Sequence, residues 1–133
     1  MHLRRQKIDA VRALVSNLAT TGSHVEEWAG YALASEWDAW VVVQSTGDER
    51  DDEADDQESI GVTQTIEILC GATRPDVRDQ ISLEVREAIA RSAEWMTWTG
   101  STTPPPEIGA SAVFVATESF TVRWSHSEES PAA

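Results

Sequence analysis

The residues with the greatest capacity for chemistry are eight acids crowded between positions 48 and 58. They are Asp48, Glu49, Asp51, Asp52, Glu53, Asp55, Asp56 and Glu58. A calcium-binding EF-hand loop needs oxygen ligands at its positions 1, 3 and 5 and a glycine at position 6. Counting from Asp51 puts Asp56 at the glycine position, and counting from Asp48 puts Arg50 at a ligand position. We therefore expect no metal site and interpret the run as a solvated loop of repelling charges.

Residue types that perform catalysis lack the spacing that catalysis requires. The three histidines form no H-E-x-x-H pattern, and the chain contains no G-x-S-x-G elbow and no glycine-rich phosphate loop. Cys70, the single cysteine, ends an alternating segment on its apolar side, which predicts a buried and inert thiol. We expect no catalytic residue, no metal ligand and no cofactor, so the sequence predicts a protein that is not an enzyme.

Six tryptophans are many for a chain of 133 residues. Trp40 and Trp124 fall in strand patterns and are expected in the core. The remaining four are candidate interface aromatics: Trp28, Trp37, Trp95 and Trp98. Tryptophan is enriched at interface hot spots because it combines a large apolar area with a polar N–H group. For these four side chains, burial in the core and a place in a subunit interface both stay open.

The net charge of −13 arises from 23 acids and 10 bases, and it is unevenly distributed. Residues 47–58 carry −7, whereas the first 12 residues carry +3. The overall balance argues against DNA or a membrane as a bound partner, since both favour Lys and Arg. The candidate basic interaction residues of the N-terminal segment are Arg4, Arg5 and Arg12. Attraction between the two charged segments of neighbouring subunits would set their register and association rate.

Helical periodicity marks two segments of the chain. Apolar residues at spacings of three, four and five predict an amphipathic helix over residues 3–19, with Gly22 as a left-handed stop. Thr73 as N-cap and Pro75 in the first turn predict a second helix that runs to about Glu94.

Strand patterns occupy three further segments. Ala39–Gln44 and Ile60–Cys70 predict a hairpin joined by the acidic loop 47–58. Residues 112–125 also alternate, but Glu118 falls on the apolar face. We therefore expect a bulge near residues 117–119 that splits this segment into two short strands.

Two stretches lack a strand or helix pattern. Residues 24–37 have no clean period and stay unassigned, and residues 100–106 are predicted to form a turn-rich linker. The order of elements predicts an α+β fold: a mainly antiparallel sheet with two helices packed on one face and a long acidic hairpin loop. The length fits one domain over residues 1–126 with a flexible tail at 127–133. A single cysteine and the lack of a long apolar run favour a soluble intracellular protein.

The order of these segments resembles one family of virus proteins. An N-terminal helix ends in a Thr-Gly turn, and a Trp-Val-Val-Val strand leads into a long charged hairpin. A helix with the sequence PDVRDQISLEVREAI follows at residues 75–89, and the chain closes on a Phe-x-Val-x-Trp strand. Over most of its length the chain resembles the tail terminator, or tail completion, proteins of long-tailed bacteriophages.

This resemblance implies a structural role in the virion and no catalytic residues. Members of the tail terminator family form a homo-hexameric ring that caps the tail tube, stops tube polymerisation and joins the tail to the head–tail connector. The implied partners are the tail tube protein and the connector (stopper) protein, with DNA only as cargo in the lumen and no membrane. The implied location is the tail or neck of a virion assembled in the host cytoplasm. The acidic loop would project toward the tube, the connector or the lumen, where it would repel DNA phosphates.

Two other functions stay open at this point. One is another neck or head-completion protein of a tailed phage. The other is a small cytosolic acidic binding module that recognises a basic protein.

Overall fold

The computed structural model of the chain describes residues 3–22, 24–26, 38–50, 61–103 and 114–125. Its elements are α1 (Leu3–Val15), β1 (Val25–Glu26), β2 (Ala39–Arg50), β3 (Gly61–Ala72), α2 (Pro75–Ser92), β4 (Met96–Thr102) and β5 (Phe114–Ser125). The strands form one sheet in the order β1-β2-β3-β5-β4. The short β1 runs parallel to β2, and all other neighbours are antiparallel. This is the α+β architecture with a mainly antiparallel sheet that the sequence predicts.

Both helices pack on the same face of the sheet, and the main core lies between them and the strands. Their apolar residues recur at spacings of three and four, which places them along one side of each helix. Each aliphatic side chain buried in this layer contributes about 1.5–3 kcal/mol relative to exposure to water. The buried residues of this layer include Ile8, Val11 and Val15 of α1, Ile81, Val85 and Ile89 of α2, and Ile66, Ile68 and Cys70 of β3.

The opposite face of the sheet carries a smaller apolar cluster. Trp40 and Val42 are buried there, with Leu69 and Val115 packed against them. The indole of Trp40 lies directly across Gly71, its pairing partner on β3, where a Cβ atom would collide with the ring. Gly71 therefore fits the sheet because it has no side chain under that indole.

In the hairpin of β2 and β3, β2 extends beyond the apolar run that predicts it. β2 pairs with β3 up to Arg50, whereas the apolar run ends at Gln44. Asp48 and Glu49 thus belong to the backbone of β2, which corrects the prediction of a loop from residue 47. Pairing continues because β3 offers backbone partners along this whole length, and a ladder overrides the low strand propensity of Gly and Asp. The other six acids of the run fall in residues 51–60, outside the described residues.

An edge strand replaces part of the predicted linker. Residues 100–102 belong to β4, which pairs with β5 at the end of the sheet. The prediction of a linker is wrong here because an edge strand that is mostly exposed shows no apolar alternation. Residues 104–106 lie outside the described residues.

The last strand is continuous, so the predicted split of residues 112–125 is wrong. β5 pairs with β3 without a break from Phe114 to Ser125. The irregularity lies in the neighbouring strand instead, between Trp98 and Gly100 of β4. Residues 112 and 113 are outside the described residues.

The helix ends differ by a few residues from their sequence signals. α1 ends at Val15 rather than near residue 19, and Gly22 has the predicted left-handed conformation, with a φ of 54°. α2 has Arg74 rather than Thr73 at its N-cap, with no side-chain capping bond. Thr73 instead donates its N–H to the backbone carbonyl of Asp38, the residue before β2, at 3.0 Å. No helix in the described ranges is long and apolar enough to cross a membrane.

Candidate functional site

Glu118 is a fully buried acid on the helix-facing side of β5, with 1% of its surface exposed. Its Oε2 accepts a hydrogen bond from Trp98 Nε1 at 2.7 Å, and its Oε1 accepts one from Ser101 Oγ at 2.9 Å. Arg86 Nε lies 3.6 Å from the same Oε1. Hydrogen-bond donors of this kind satisfy the oxygens of a carboxyl group that is buried away from water. Glu118 therefore ties β5 to both β4 and α2.

The irregularity in β4 brings both donors to this carboxylate. Trp98 is paired with Phe120 and Gly100 with Ser119, so Thr99 is an extra residue without a partner opposite it. Gly100 has a φ of 155°, which glycine adopts more readily than other residues. The bulge shifts the phase of the strand by one residue, so that Trp98 and Ser101 both reach Glu118.

Trp98 combines a fixed position with an exposed ring. Its indole is 49% exposed although its N–H group is bonded to the buried carboxylate. The guanidinium carbon of Arg86 lies 5.7 Å from the ring centroid, within cation–π distance. Beside the ring opens a cavity of about 310 Å³ with a mainly apolar lining that includes Arg86. Its lining consists of Arg86, Ile89, Ala90, Met96, Trp98 and Phe120.

This arrangement combines features that are suited to binding a partner. A pre-positioned aromatic ring, an apolar cavity and an arginine are the features that recur at protein interface hot spots. Among the described residues, no three His, Cys, Asp or Glu side chains lie close enough together to hold a metal ion. Burial raises the pKa of the Cys70 thiol to about 12, which keeps it protonated, as the alternating pattern predicts.

The other tryptophans have different environments. Trp40 and Trp124 are buried, as predicted. Trp95 is half-buried against the main core, and Lys7 Nζ lies 4.7 Å from its ring centroid. Trp28 and Trp37 lie outside the described residues. Among the described tryptophans, Trp98 is therefore the one whose ring is open to a partner.

Gln64 forms a second buried polar cluster, which the sequence signals only as an interruption of the β3 alternation. Its Nε2 donates to the Arg4 carbonyl and to Ser45 Oγ, both at 3.3 Å. Its Oε1 accepts from Trp124 Nε1 at 3.1 Å. One amide thus joins α1, β2, β3 and β5, which makes this cluster structural.

Glu84 connects α2 to the turn that follows α1. Its carboxylate accepts hydrogen bonds from the Thr20 backbone N–H at 2.9 Å, from the Thr20 hydroxyl and from Gln80 Nε2 at 2.9 Å. Partial burial opposes the charge, but the hydrogen bonds from Thr20 and Gln80 outweigh it and lower the pKa of Glu84 below 4.5.

The predicted basic residues differ in their exposure. Arg4 and Arg5 are exposed, and Arg5 Nε lies 3.2 Å from Asp9 within the same helix. Arg12 is half-buried. The acidic side chains from Asp48 onward lie outside the described side chains, so the attraction between the two charged segments stays a prediction.

Comparison with known proteins yields no functional relative. No protein-family model matches the chain, and no curated protein matches it. Among solved structures, the type 4 fimbrial biogenesis protein PilO from Pseudomonas aeruginosa is similar with a TM-score of 0.43 and 7% identity. That match covers 93% of this chain and 73% of the other. A likeness of this degree carries no argument about function.

Proposed function

We propose that this protein is a virion structural protein that acts as a tail terminator. In this role identical subunits form a ring, most simply a hexamer, on the end of the tail tube. The ring stops addition of tube protein and presents a surface to the head–tail connector. The proposal needs no catalytic residue and no cofactor, and it places the protein in the tail or neck of the virion.

The observation that carries the proposal is the position of the acidic run on the β2–β3 hairpin. The pairing of β2 with β3 starts at Ala39 in the core and continues to Arg50, where the acids have already begun. β5 accompanies β3 from Ala72 to Gly61, so three strands support this end of the sheet. The acids therefore begin on a braced arm, in a fixed relation to the core.

A braced acidic arm suits a subunit whose copies surround a DNA channel. Duplex DNA carries about one negative charge per 1.7 Å of its axis, so a wall of like charge repels it. Repulsion keeps the genome from adhering while it moves through the lumen. Fixed arms repeated around a ring would give that wall a uniform charge.

Polymerisation of the tail tube protein of the same phage tests the proposal. Tubes are grown with and without the purified protein, and their lengths are measured by electron microscopy. We expect growth to stop when the protein is added, with a ring visible at one end of each tube. A monomeric acidic protein of similar mass is the control for nonspecific charge effects.

Unchanged tube growth and bare tube ends would contradict the proposal. If the protein instead binds a free basic protein as a monomer, the function as an acidic binding module replaces it. Growth arrest without a ring at the tube end also counts against a terminator.

A further inference from the structure

We propose that neighbouring subunits join through their sheet edges, with β4 of one copy pairing with the outer side of β2 in the next copy. Trp98 is the anchor of this contact. The inference rests on the proposed ring function and identifies the surface from which the ring is built.

β4 is an open edge with little protection against strand pairing. It is the terminal strand of the sheet, and its seven residues include no charged residue and no proline. Five of the seven are exposed. Natural edge strands are usually blocked by lysine, proline, bulges or a covering segment, and within the described residues β4 has only the bulge at Thr99. The side of β4 that faces away from β5 has no partner among the described strands, so it can accept an additional strand.

The outer side of β2 is the second open edge among the described strands. β1 pairs only with Val41 and Val42, so the eight residues from Val43 to Arg50 have no described strand on that side. This length matches the seven residues of β4. The two edges lie on opposite sides of one sheet, so their pairing is a head-to-tail contact. Repetition of such a contact produces a ring when the rotation between copies closes.

The charges of the two edges are complementary. The outer end of β2 includes Asp48 and Glu49. Beside β4, by contrast, lies Arg86 of α2, whose side chain is 43% exposed and lies over the Trp98 ring. Complementary charge steers the encounter and disfavours contacts between two acidic edges.

Trp98 provides the apolar part of the contact. Because Glu118 already fixes its indole, little side-chain entropy remains to be lost when a partner packs on it. The adjacent cavity of about 310 Å³ has room for an apolar side chain from the neighbouring copy. One interface between subunits would account for both the exposed ring of Trp98 and the strand edge beside it.

Two edge variants test the inference. The first is Thr97→Glu with Thr102→Glu, which adds acids to β4 at two exposed positions. The second is Thr46→Lys with Gly47→Lys, which adds bases to the outer half of β2, where no atom lies within 4 Å of a Cβ added at Gly47. Matched controls carry the same charges at exposed sites away from both edges, on Thr73 and Ser92.

The assembled mass is measured by light scattering after gel filtration. Each edge variant alone is expected to lose the ring mass and elute as a monomer, while the controls keep the wild-type mass. A mixture of the two variants is expected to recover assemblies that contain both chains, because each supplies the intact edge that the other lacks.

Hydrogen exchange on the wild-type protein provides a measurement that does not depend on variant folding. Amides of β4 and of residues 43–50 are expected to exchange more slowly in the ring than in the monomer obtained by dilution. Equal exchange in both states would contradict the inference.

Different failures separate the inference from the proposed function. If both edge variants keep the wild-type ring mass, the edge contact is wrong and the terminator function stands. If the β2 variant still assembles while the β4 variant does not, the contact joins two β4 strands and the head-to-tail arrangement is wrong. If the wild-type chain forms no ring and leaves tube growth unchanged, both are wrong.

Discussion

Glu118 and Trp98 illustrate how one hydrogen bond connects the interior of the sheet to its surface. The indole N–H of Trp98 is one of two hydrogen-bond donors to a carboxylate that water cannot reach. Replacing Trp98 with Phe keeps an aromatic ring but removes this donor. We expect a loss of about 1–3 kcal/mol in the free energy of unfolding, measured with urea, because a buried carboxyl oxygen loses its hydrogen-bond donor.

Leu83→Ala is the matched control for Trp98→Phe, since Leu83 has a similar exposed fraction of 42%. Its free energy of unfolding is expected to stay within about 0.5 kcal/mol of the wild type. Equal effects of the two substitutions would show that the hydrogen bond to Glu118 contributes nothing to stability.

Glu84 gives the protein a pH-dependent contribution to stability. The fold lowers the pKa of this carboxyl below 4.5. Its contribution is therefore fully present above the pKa of the unfolded chain and is lost as the pH falls through the folded value. We expect Thr20→Val to cost about 1 kcal/mol at neutral pH, because one hydroxyl bond is lost.

That cost should shrink toward zero once the pH falls below the lowered folded-state pKa of Glu84, where the carboxyl is protonated in both states. Urea unfolding at several pH values measures the difference between the variant and the wild type. Thr20→Ser keeps the hydroxyl and is expected to follow the wild-type curve. A cost that does not vary with pH would contradict the role of the Glu84 charge.

At the residue scale, the sequence pattern predicts which side chains are buried but not which partners they contact. The position of Cys70 on an apolar face predicts its burial, and the same pattern marks Glu118 as an exception. Trp98 and Ser101, which resolve that exception, lie 20 and 17 residues away along the chain. No local pattern displays a contact of that separation.

At the scale of elements, the close contact between the Trp40 indole and Gly71 constrains the packing of β2 beside β3. A Cβ atom at Gly71 would overlap the indole ring. We expect Gly71→Ala to lower the free energy of unfolding by roughly 1–3 kcal/mol, because the ring must shift in a packed sheet. Denaturant unfolding measures this cost.

Gly47→Ala is the matched control, because no atom lies within 4 Å of the added Cβ at that position of the same strand pair. We expect the cost at Gly71 to fall when Trp40 is replaced by Leu, since the two sites are in contact. If Gly71→Ala costs the same in both backgrounds, the indole is not the source of the effect.

The elements that the sequence predicts best are those with one buried face. The stripes of α1 and α2 and the alternation of β3 coincide with the residues that are buried. The sequence does not predict β4, because an edge strand needs no apolar alternation. The predicted split of β5 is wrong, because the bulge lies in β4 instead. The end of β2 is missed because backbone pairing, rather than side-chain burial, extends it to Arg50.

At the scale of the whole molecule, the net charge of −13 is unevenly distributed along the chain. Residues 47–58 carry −7, and the strand pairing shows that this run starts on a braced arm. The acids of this run take part in two proposed features, the wall of the lumen and the contact between subunits. Asp48 and Glu49 lie on the proposed subunit contact, and the six acids beyond Arg50 would face the DNA.

Neutralising only the six acids of residues 51–58 to Asn and Gln separates these roles. We expect ring assembly to be unchanged, because the edges of β2 and β4 are intact. Virion infectivity is expected to fall, because DNA phosphates meet a less repulsive wall. Plaque titres of phage carrying the altered protein measure the effect.

The neutralised variant has a matched control in Asp76→Asn with Asp79→Asn, which removes exposed acids from α2. Its infectivity should equal that of the wild type. Unchanged infectivity of the six-acid variant would contradict a function for the charge of the arm.

Native mass measurement of the wild-type chain shows whether the protein assembles into a ring. The chain has a mass of 14.6 kDa, so a hexamer has about 88 kDa. We expect the hexamer either for the protein alone or once tail tubes are supplied. A chain that stays at 14.6 kDa alone and leaves the tube ends without a ring would contradict it.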